Sequence, residues 1–301
     1  MSDTHNTRCG VVAVLGAPNA GKSTLVNQLV GQKVAITSAK AQTTRARMMG
    51  IALQGDTQMI LVDTPGIFAP KRRLDRAMVS AAWEGAEAAD AVLLLVDPIK
   101  QRRHELEPLI EQIAARPERK ILVLNKVDRA KKEPLLALAQ ELSAKVEFAD
   151  VFFVSALTGD GVPEMKEALA ALMPEGPWMY PEDQVSDASE RLLATEITRE
   201  QLYKQLHEEL PYDSAVRPEK YIQRPDGSVE IHQQIVVMRD NQRAIVLGKG
   251  GSRIKAIGEA ARKELSELLG QKVHLFLHVK ADERWTEDKE MFEEMGLDWV
   301  R

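Results

Sequence analysis

A helical pattern, Lys22–Val30, follows an aliphatic run at 11–15, and between them lies Gly16-Ala17-Pro18-Asn19-Ala20-Gly21-Lys22-Ser23. This matches G-x-x-x-x-G-K-[ST] in the strand–loop–helix context that gives the pattern its meaning. Glycines let such a loop curl until its N–H groups converge on anionic oxygens. The start of the following helix adds partial positive charge. Lys22 is expected to reach the β- and γ-phosphates of a nucleotide, and the Ser23 hydroxyl to ligate Mg²⁺.

The loop constrains the fold around it. Further aliphatic runs at 59–62, 91–96, 121–124 and 151–154 alternate with helical patterns at 74–88, 103–115, 134–143 and 162–172. Continuous apolar runs suit strands buried on both faces, and the alternation implies a three-layer α/β domain with a mainly parallel sheet. Residues 48–53 add a strand that pairs with 59–62 across Gly55-Asp56.

Each strand end carries chemistry, as open α/β sheets require. Asp63-Thr64-Pro65-Gly66 follows the second long run. Asp63 is placed to hold the Mg²⁺ shell, and the Gly66 N–H to contact the γ-phosphate. Asn125-Lys126-Val127-Asp128 follows 121–124. Guanine presents N1–H and N2–H₂ side by side, and the two oxygens of Asp128 can accept both. Adenine would leave them unpaired, and a site built to bond a group rejects an analogue lacking it. Asn125 ties this loop to the phosphate loop, and the Lys126 stem covers the base. Ser155-Ala156-Leu157 supplies an N–H for guanine O6. The nucleotide is therefore GTP.

These four motifs in this order resemble the translation-factor-like GTPases, and Leu-Val-Asp-Thr-Pro-Gly with Asn-Lys-Val-Asp is similar to the Era-related branch. The segment Ala35-Ile36-Thr37-Ser38-Ala39-Lys40-Ala41-Gln42-Thr43-Thr44-Arg45 resembles the first switch of that family. The resemblance implies that Thr43 or Thr44 binds Mg²⁺ in the GTP state. Many relatives place a glutamine after Asp-x-x-Gly to orient water; here that residue is Ile67, which cannot hydrogen-bond. Intrinsic hydrolysis is expected to be slow, with transition-state charge met by other groups. Asn19 either shapes its turn or, as in some Era-related GTPases, helps hold K⁺ against the phosphates. The expected catalytic set is Lys22, Asn19, Thr43, Thr44 and Gly66. Ile67 and Val127 complete the nucleotide-binding residues with the four motifs.

The alternation stops at Met173. Pro174, Gly176, Pro177 and Pro181 mark a linker, giving domains at 1–175 and 187–301 with 176–186 between, where Trp178 and Tyr180 are expected to pack between domains. Asp187 is expected to cap a helix at 191–210. Strands at 215–223 and 230–238 flank a Pro-Asp-Gly-Ser turn. A glycine-interrupted helical stretch covers 242–269, then a strand at 273–280 and a polar tail. Within the stretch lies Ile245-Val246-Leu247-Gly248-Lys249-Gly250-Gly251-Ser252-Arg253-Ile254. The G-x-x-G core and the order α-β-β-α-α-β resemble the type II KH RNA-binding module, an α+β domain. Gly248, Gly250 and Gly251 would let backbone approach single-stranded RNA, with about four nucleotides clamped. Lys249, Arg253 and Lys255 would meet phosphates, and Ile245 and Ile254 would lie under bases. With Glu-Leu-Pro-Tyr at 209–212, the resemblance to the Era family covers nearly the whole chain. It implies binding of the 3′ end of small-subunit (16S) ribosomal RNA, assistance in small-subunit assembly, a monomer, and a cytoplasmic location with weak peripheral association at the inner membrane.

The net charge of −5 speaks against an RNA binder only in total. Residues 239–272 hold eight basic and four acidic side chains, whereas 282–301 hold eight acidic and three basic, the whole excess. One cysteine, Cys9, excludes a disulfide framework and is expected to be a small buried residue. The polar start at 1–8 lacks an apolar signal core, and no apolar run approaches the roughly 20 residues of a membrane span. His274 and His278 flank Phe276 without a third ligand, so a metal centre is not expected. Lys71-Arg72-Arg73, after the second switch, has three readings: a contact to RNA, a contact to the KH module, or, the simplest, a solvated basic run. An RNA-modifying enzyme would need an extra catalytic domain or a reactive thiol, and a membrane-surface GTPase a lipidation motif or basic amphipathic helix. Neither cue is present.

Overall fold

The computed structural model describes residues 7–300 apart from 41, 46, 102 and 209. Most of the polar start, Ala41 of the switch segment, Glu209 of Glu-Leu-Pro-Tyr and Arg301 of the tail lie outside the described residues. No helix among the described residues is long and apolar enough to cross a membrane. The chain divides into two units. The first takes residues up to Ala35 with Thr44–Asp187, and the second Ile36–Thr43 with Ala188 onward.

The first unit contains β1 (Arg8–Gly16), α1 (Lys22–Val30), β2 (Met48–Gln54), β3 (Thr57–Asp63), α2 (Arg73–Glu87), β4 (Ala91–Val96), α3 (Arg103–Ala114), β5 (Arg119–Leu124), α4 (Lys132–Ser143), β6 (Asp150–Phe153) and α5 (Val162–Leu172). The sheet order is β2-β3-β1-β4-β5-β6, parallel except for β2 against β3. Alternation along β1 builds two cores. Val12 and Val14 pack with α1 and α5, while Ala13 and Leu15 pack on the side of α3 and α4. The expected fold class holds, and every predicted strand is present. All the parallel strands end on one rim, which carries the phosphate loop, Asp63, Asn125–Asp128 and Ser155.

The stretch at 176–186 is held by the first unit. Buried Gln58 is the anchor. Its Oε1 accepts from the N–H groups of Met179 and Tyr180 at 2.9 and 3.0 Å, and its Nε2 donates to the Tyr180 carbonyl at 2.9 Å. The Trp178 indole donates to the Asp56 carbonyl at 3.0 Å, so this unit itself holds the Trp178 side chain and the Tyr180 backbone. Cys9 is buried, as read from the sequence.

The second unit runs α6 (Glu190–Gln205), β7 (Ser214–Gln223), β8 (Val229–Val237), α7 (Asp240–Leu247), α8 (Ser252–Leu269), β9 (Val273–Ala281) and α9 (Lys289–Glu294). Its sheet is β7-β8-β9, with β7/β8 antiparallel and β8/β9 parallel. Three expectations are corrected. Ser189, not Asp187, caps α6, accepting from the Leu192 N–H at 3.2 Å. The Asp187 carboxyl lies in the first unit, where burial raises its pKa against the pull of Arg47. Helix α6 stops at Gln205 rather than near Leu210: Leu206 already leaves the helix in an extended conformation, φ −99° and ψ 156°. The tail is folded. Trp285, Met291, Phe292 and Leu297 are buried, and Arg217 on β7 binds Glu290 and Glu294 at 2.6 and 2.7 Å.

Helix α6 is buried on every side from Ala194 to Tyr203 despite its polar sequence. Ala194 and Ile197 pack on Val229 and Ile231 of β8, and Ile36 joins the same cluster. Glu200 accepts from the Thr37 N–H at 2.9 Å, and the Tyr203 hydroxyl donates to the Gln42 carbonyl at 3.2 Å. The Lys40 ammonium donates to the carbonyls of Tyr203 and Leu206, where the helix end is negative. The Glu196 and Arg199 side chains pair on the same helix.

Candidate functional site: a nucleotide rim and an RNA groove

Helix α1 begins at Gly21 in a left-handed conformation with no side-chain cap, which leaves its first N–H groups for an anion. A Cβ at Gly21 would stand 2.3 Å from Nδ2 of Asn125. That asparagine donates to the Ala20 carbonyl at 2.8 Å and accepts from the Ala156 N–H at 2.9 Å, joining the phosphate loop to the loop after β6. Asp128 accepts from the Ser155 hydroxyl at 2.7 Å, which orients its carboxylate. Lys126, at φ 65°, donates to the Asn19 carbonyl at 2.7 Å and to Asp97 at 2.6 Å. Sequence reasoning missed Asp97. Its signal was its position just past the buried strand β4, the same kind of place as Asp63 and Asn125.

Ser23 Oγ lies 2.8 Å from Thr44 Oγ1 and donates to Asp63 at 2.6 Å; Thr44 donates to the same Asp63 oxygen at 3.3 Å. Three hard oxygen groups thus converge, a donor set that suits Mg²⁺. Thr43 is turned away and donates to the Lys40 carbonyl at 2.8 Å. Of the two threonines left open by the sequence, Thr44 is the one that faces this cluster. Thr64 spends its hydroxyl on the Val14 carbonyl at 2.7 Å. Pro65 is buried beside it. A Cβ at Gly66 would meet Pro18 at 2.7 Å, so this stretch lies hard against the phosphate loop. Ile67 donates its N–H to the Gly16 carbonyl at 3.0 Å. Its side chain lines an apolar cleft of about 700 Å³ with Pro18, Phe68, Trp83 and Leu109. Asn19 takes φ 62°, so it does shape its turn. Val127 packs against the core, and Leu157 is exposed.

In the second unit, α7 and α8 meet at Gly248-Lys249-Gly250-Gly251, where all three glycines have positive φ. Nothing lies within 4 Å of a Cβ built on Gly250 or Gly251, so this loop is open to a close-approaching backbone. Ile245 is exposed, Ile254 packs on the core, and Arg253 donates to the Ile245 carbonyl at 3.2 Å. Lys255 faces Glu259 at 3.9 Å. From the loop a groove continues between α8 and β9 as two adjoining cavities of about 340 and about 460 Å³, both bounded by Arg262, Leu275 and Phe276. No motif announces the β9 wall, although Lys255, Glu259 and Arg262 fall on one face of α8 by helical spacing.

The family models for "50S ribosome-binding GTPase" and "KH domain" match residues 11–126 and 209–286. GTPase Era of Erythrobacter litoralis is 84% identical over 299 residues, covering 98% of both chains. The chain belongs to the Era family of GTPases. Era of Caulobacter vibrioides is 51% identical over 99% of both chains. Among solved structures, Era in complex with MgGDPNP and nucleotides 1506–1542 of 16S ribosomal RNA is 36% identical, with a TM-score of 0.92 over 96% of this chain and 99% of that one. A single-residue variant of Aquifex aeolicus Era bound to GDP and AlF₄⁻ is similar at TM-score 0.91, also 36% identical over 96% of this chain and 99% of that one.

In this Era-family chain Lys22 is 6% exposed and donates to the carbonyls of Gly16 and Ala17 at 3.2 and 3.1 Å. Burial pushes its ammonium down to about 8, against the opposing pull of Asp63. Because this lies below the value of about 10.4 in an unfolded chain, nucleotide-free protein gains stability as pH rises from about 8 towards that value. A triphosphate restores the charge. Nucleotide binding above pH 8 is therefore accompanied by proton uptake, absent in Lys22→Ala. Calorimetry in buffers of different ionisation enthalpy measures it.

Proposed function

We propose that the protein is a GTP-driven switch whose output is RNA binding. GTP hydrolysis would reset it, and its RNA would be the 3′ region of 16S ribosomal RNA during small-subunit assembly. The observation that carries this reading is the placement of residues 36–44. Thr44 faces Ser23 and Asp63, while the eight residues before it belong to the unit that holds the groove. A change at the nucleotide rim is thus one peptide bond from a segment hydrogen-bonded to α6. The Era complex with MgGDPNP and 16S nucleotides supports the choice of ligand and of RNA.

In this reading the phosphate-loop N–H groups and Lys22 bind the β- and γ-phosphates. Asp128 and the Ala156 region select guanine, and Asn125 keeps the two loops in register. Ser23, Thr44 and Asp63 would hold Mg²⁺, which when bound supplies positive charge against the phosphate oxygens. The Gly66 N–H is directed to the γ-phosphate. Ile67 cannot orient water, so its neighbours must supply the charge and positioning that a glutamine gives elsewhere. A K⁺ ion beside Asn19 is one source. Lys249, Arg253 and Lys255 would contact phosphates at the groove mouth. In this reading the protein acts in the cytoplasm, where its ribosomal target is, and as a monomer; the monomer and a peripheral inner-membrane association rest on family likeness alone.

Crosslinking to RNA from the 1506–1542 region tests the output. Wild type crosslinks to different extents with GTP and GDP, and Gly248→Asp loses the crosslinks. Unchanged crosslinks in the variant overturn the groove; equal crosslinks with both nucleotides overturn the switch. For the metal, Thr44→Ala weakens Mg²⁺-dependent GTP turnover about 10-fold or more, whereas Thr43→Ala retains most of it. For K⁺, turnover is faster in K⁺ than in Na⁺ buffer and Asn19→Ala removes the difference; equal wild-type rates dismiss the ion.

A further inference from the structure

The cleft beside Ile67 belongs to the first unit and is separate from the groups that bind nucleotide. None of Lys22, Ser23, Asp63, Asn125 or Asp128 lines it, and the phosphate loop gives it only Ala17, Pro18 and Asn19. A volume of about 700 Å³ is enough for a drug-sized molecule, and a mainly apolar lining with a few polar groups is the usual make-up of such a site. Three elements build its walls. The segment after β3 supplies Ile67 and Phe68, α2 supplies Val79 and Trp83, and α3 supplies Pro108 and Leu109. Val79 and Trp83 are four residues apart and so share one face of α2. Trp83 is held in place by the Arg116 guanidinium, 5.6 Å from the centre of its ring. That guanidinium is itself fixed by hydrogen bonds to Glu118 at 3.1 and 2.6 Å. An aromatic wall fixed in this way stands ready before a ligand arrives, which lowers the ordering cost of binding.

The polar groups gather at one end, in the turn after β4. Among the described residues two charged side chains line the cleft, Asp97 and Lys100. The Asp97 carboxylate is fully matched. One oxygen takes Lys126 at 2.6 Å, and the other accepts from the N–H groups of Ile99 and Lys100 at 2.9 and 3.2 Å. Lys100 is exposed, and its ammonium has no ion-pair partner among the described residues. Beside it, Gln101 accepts from the Asp97 N–H at 2.8 Å through Oε1. This fixes the amide and leaves its buried Nε2 without an acceptor. An acceptor is what this end of the cleft lacks, and positive charge is what it offers.

We propose that the cleft is a second small-molecule site, taking an aromatic carboxylate whose ring lies against Phe68 and Trp83 and whose carboxylate meets Lys100, and that its occupant slows GTP turnover. The route to turnover is Ile67. Its side chain is part of the wall, and its N–H is bonded to the Gly16 carbonyl at 3.0 Å. The segment after Asp-x-x-Gly is the part of such switches that rearranges when a γ-phosphate arrives. A ring seated against Ile67 and Phe68 holds that segment where it stands.

Calorimetry on the full chain saturated with GDP, which closes the nucleotide rim to the probe, tests the site with naphthoate and its neutral counterpart naphthylmethanol. Wild type binds the carboxylate about fivefold more tightly than the alcohol. Lys100→Ala, a change at an exposed position, binds the two alike, and Val79→Trp, which fills the cleft, binds neither. In steady-state turnover naphthoate lowers the kcat of wild type and leaves KM for GTP unchanged. No binding, equal binding of acid and alcohol by wild type, or a preference for the acid that survives in Lys100→Ala overturns the site. A rise in KM alone puts the probe at the nucleotide rim and overturns it as well. Binding at the cleft with kcat unchanged overturns the control of turnover.

Discussion

The nucleotide rim depends on one side-chain amide. Asn125 spends its donor on the phosphate loop and its acceptor on the loop after β6. It thereby sets the distance between the phosphate end and the base end of a nucleotide. Both bonds are buried, so losing either leaves an unpaired polar group at a cost of about 1–3 kcal/mol. The same amide explains Gly21, since no Cβ fits between it and the loop. Lys126 adds a second tie, from the Asn19 carbonyl to Asp97. Guanine recognition and phosphate binding are therefore a single rigid unit built from strand ends.

The segment leading to Thr44 has the opposite character. None of its described residues lies in a helix or strand, and its fixed points are borrowed from α6: Glu200 for the Thr37 N–H, the helix end for Lys40, Tyr203 for Gln42. Those partners are themselves buried, which explains a helix so polar yet covered on all sides. Two threonines in succession face two different tasks. Thr44 turns to the oxygen cluster, and Thr43 folds back onto Lys40 to hold the turn.

Much of this was legible in the sequence because the chemistry is concentrated in contiguous motifs at strand ends. Gly16–Ser23, Asp63–Gly66, Asn125–Asp128 and Ser155–Leu157 needed only the rule that ligands gather at one edge of a parallel sheet. What escaped was assembled by topology. Gln58 looks like an ordinary strand residue until 176–186 folds across it. Asp97 has no motif around it. The β9 wall of the groove pairs residues on two elements, α8 and β9, whose contact is invisible in either alone. The tail was misread for a different reason: its charge total concealed Trp285, Met291 and Phe292 at core spacing, and the pairing of its acidic residues with Arg217.

The docking of residues 36–43 on α6 also sets an order of events in synthesis. Thr37 and Glu200 are 163 positions apart in the chain. At about 5–20 residues per second, the ribosome needs roughly 10–30 s after making this segment to deliver its partner helix. In the last part of that interval, once β6 has been made, the α/β sheet can be complete while Ile36 lacks its apolar neighbours and Lys40 lacks its carbonyls. The nascent chain thus passes through a stage with a finished nucleotide rim and an unanchored switch, and the last domain to emerge is the one that closes it.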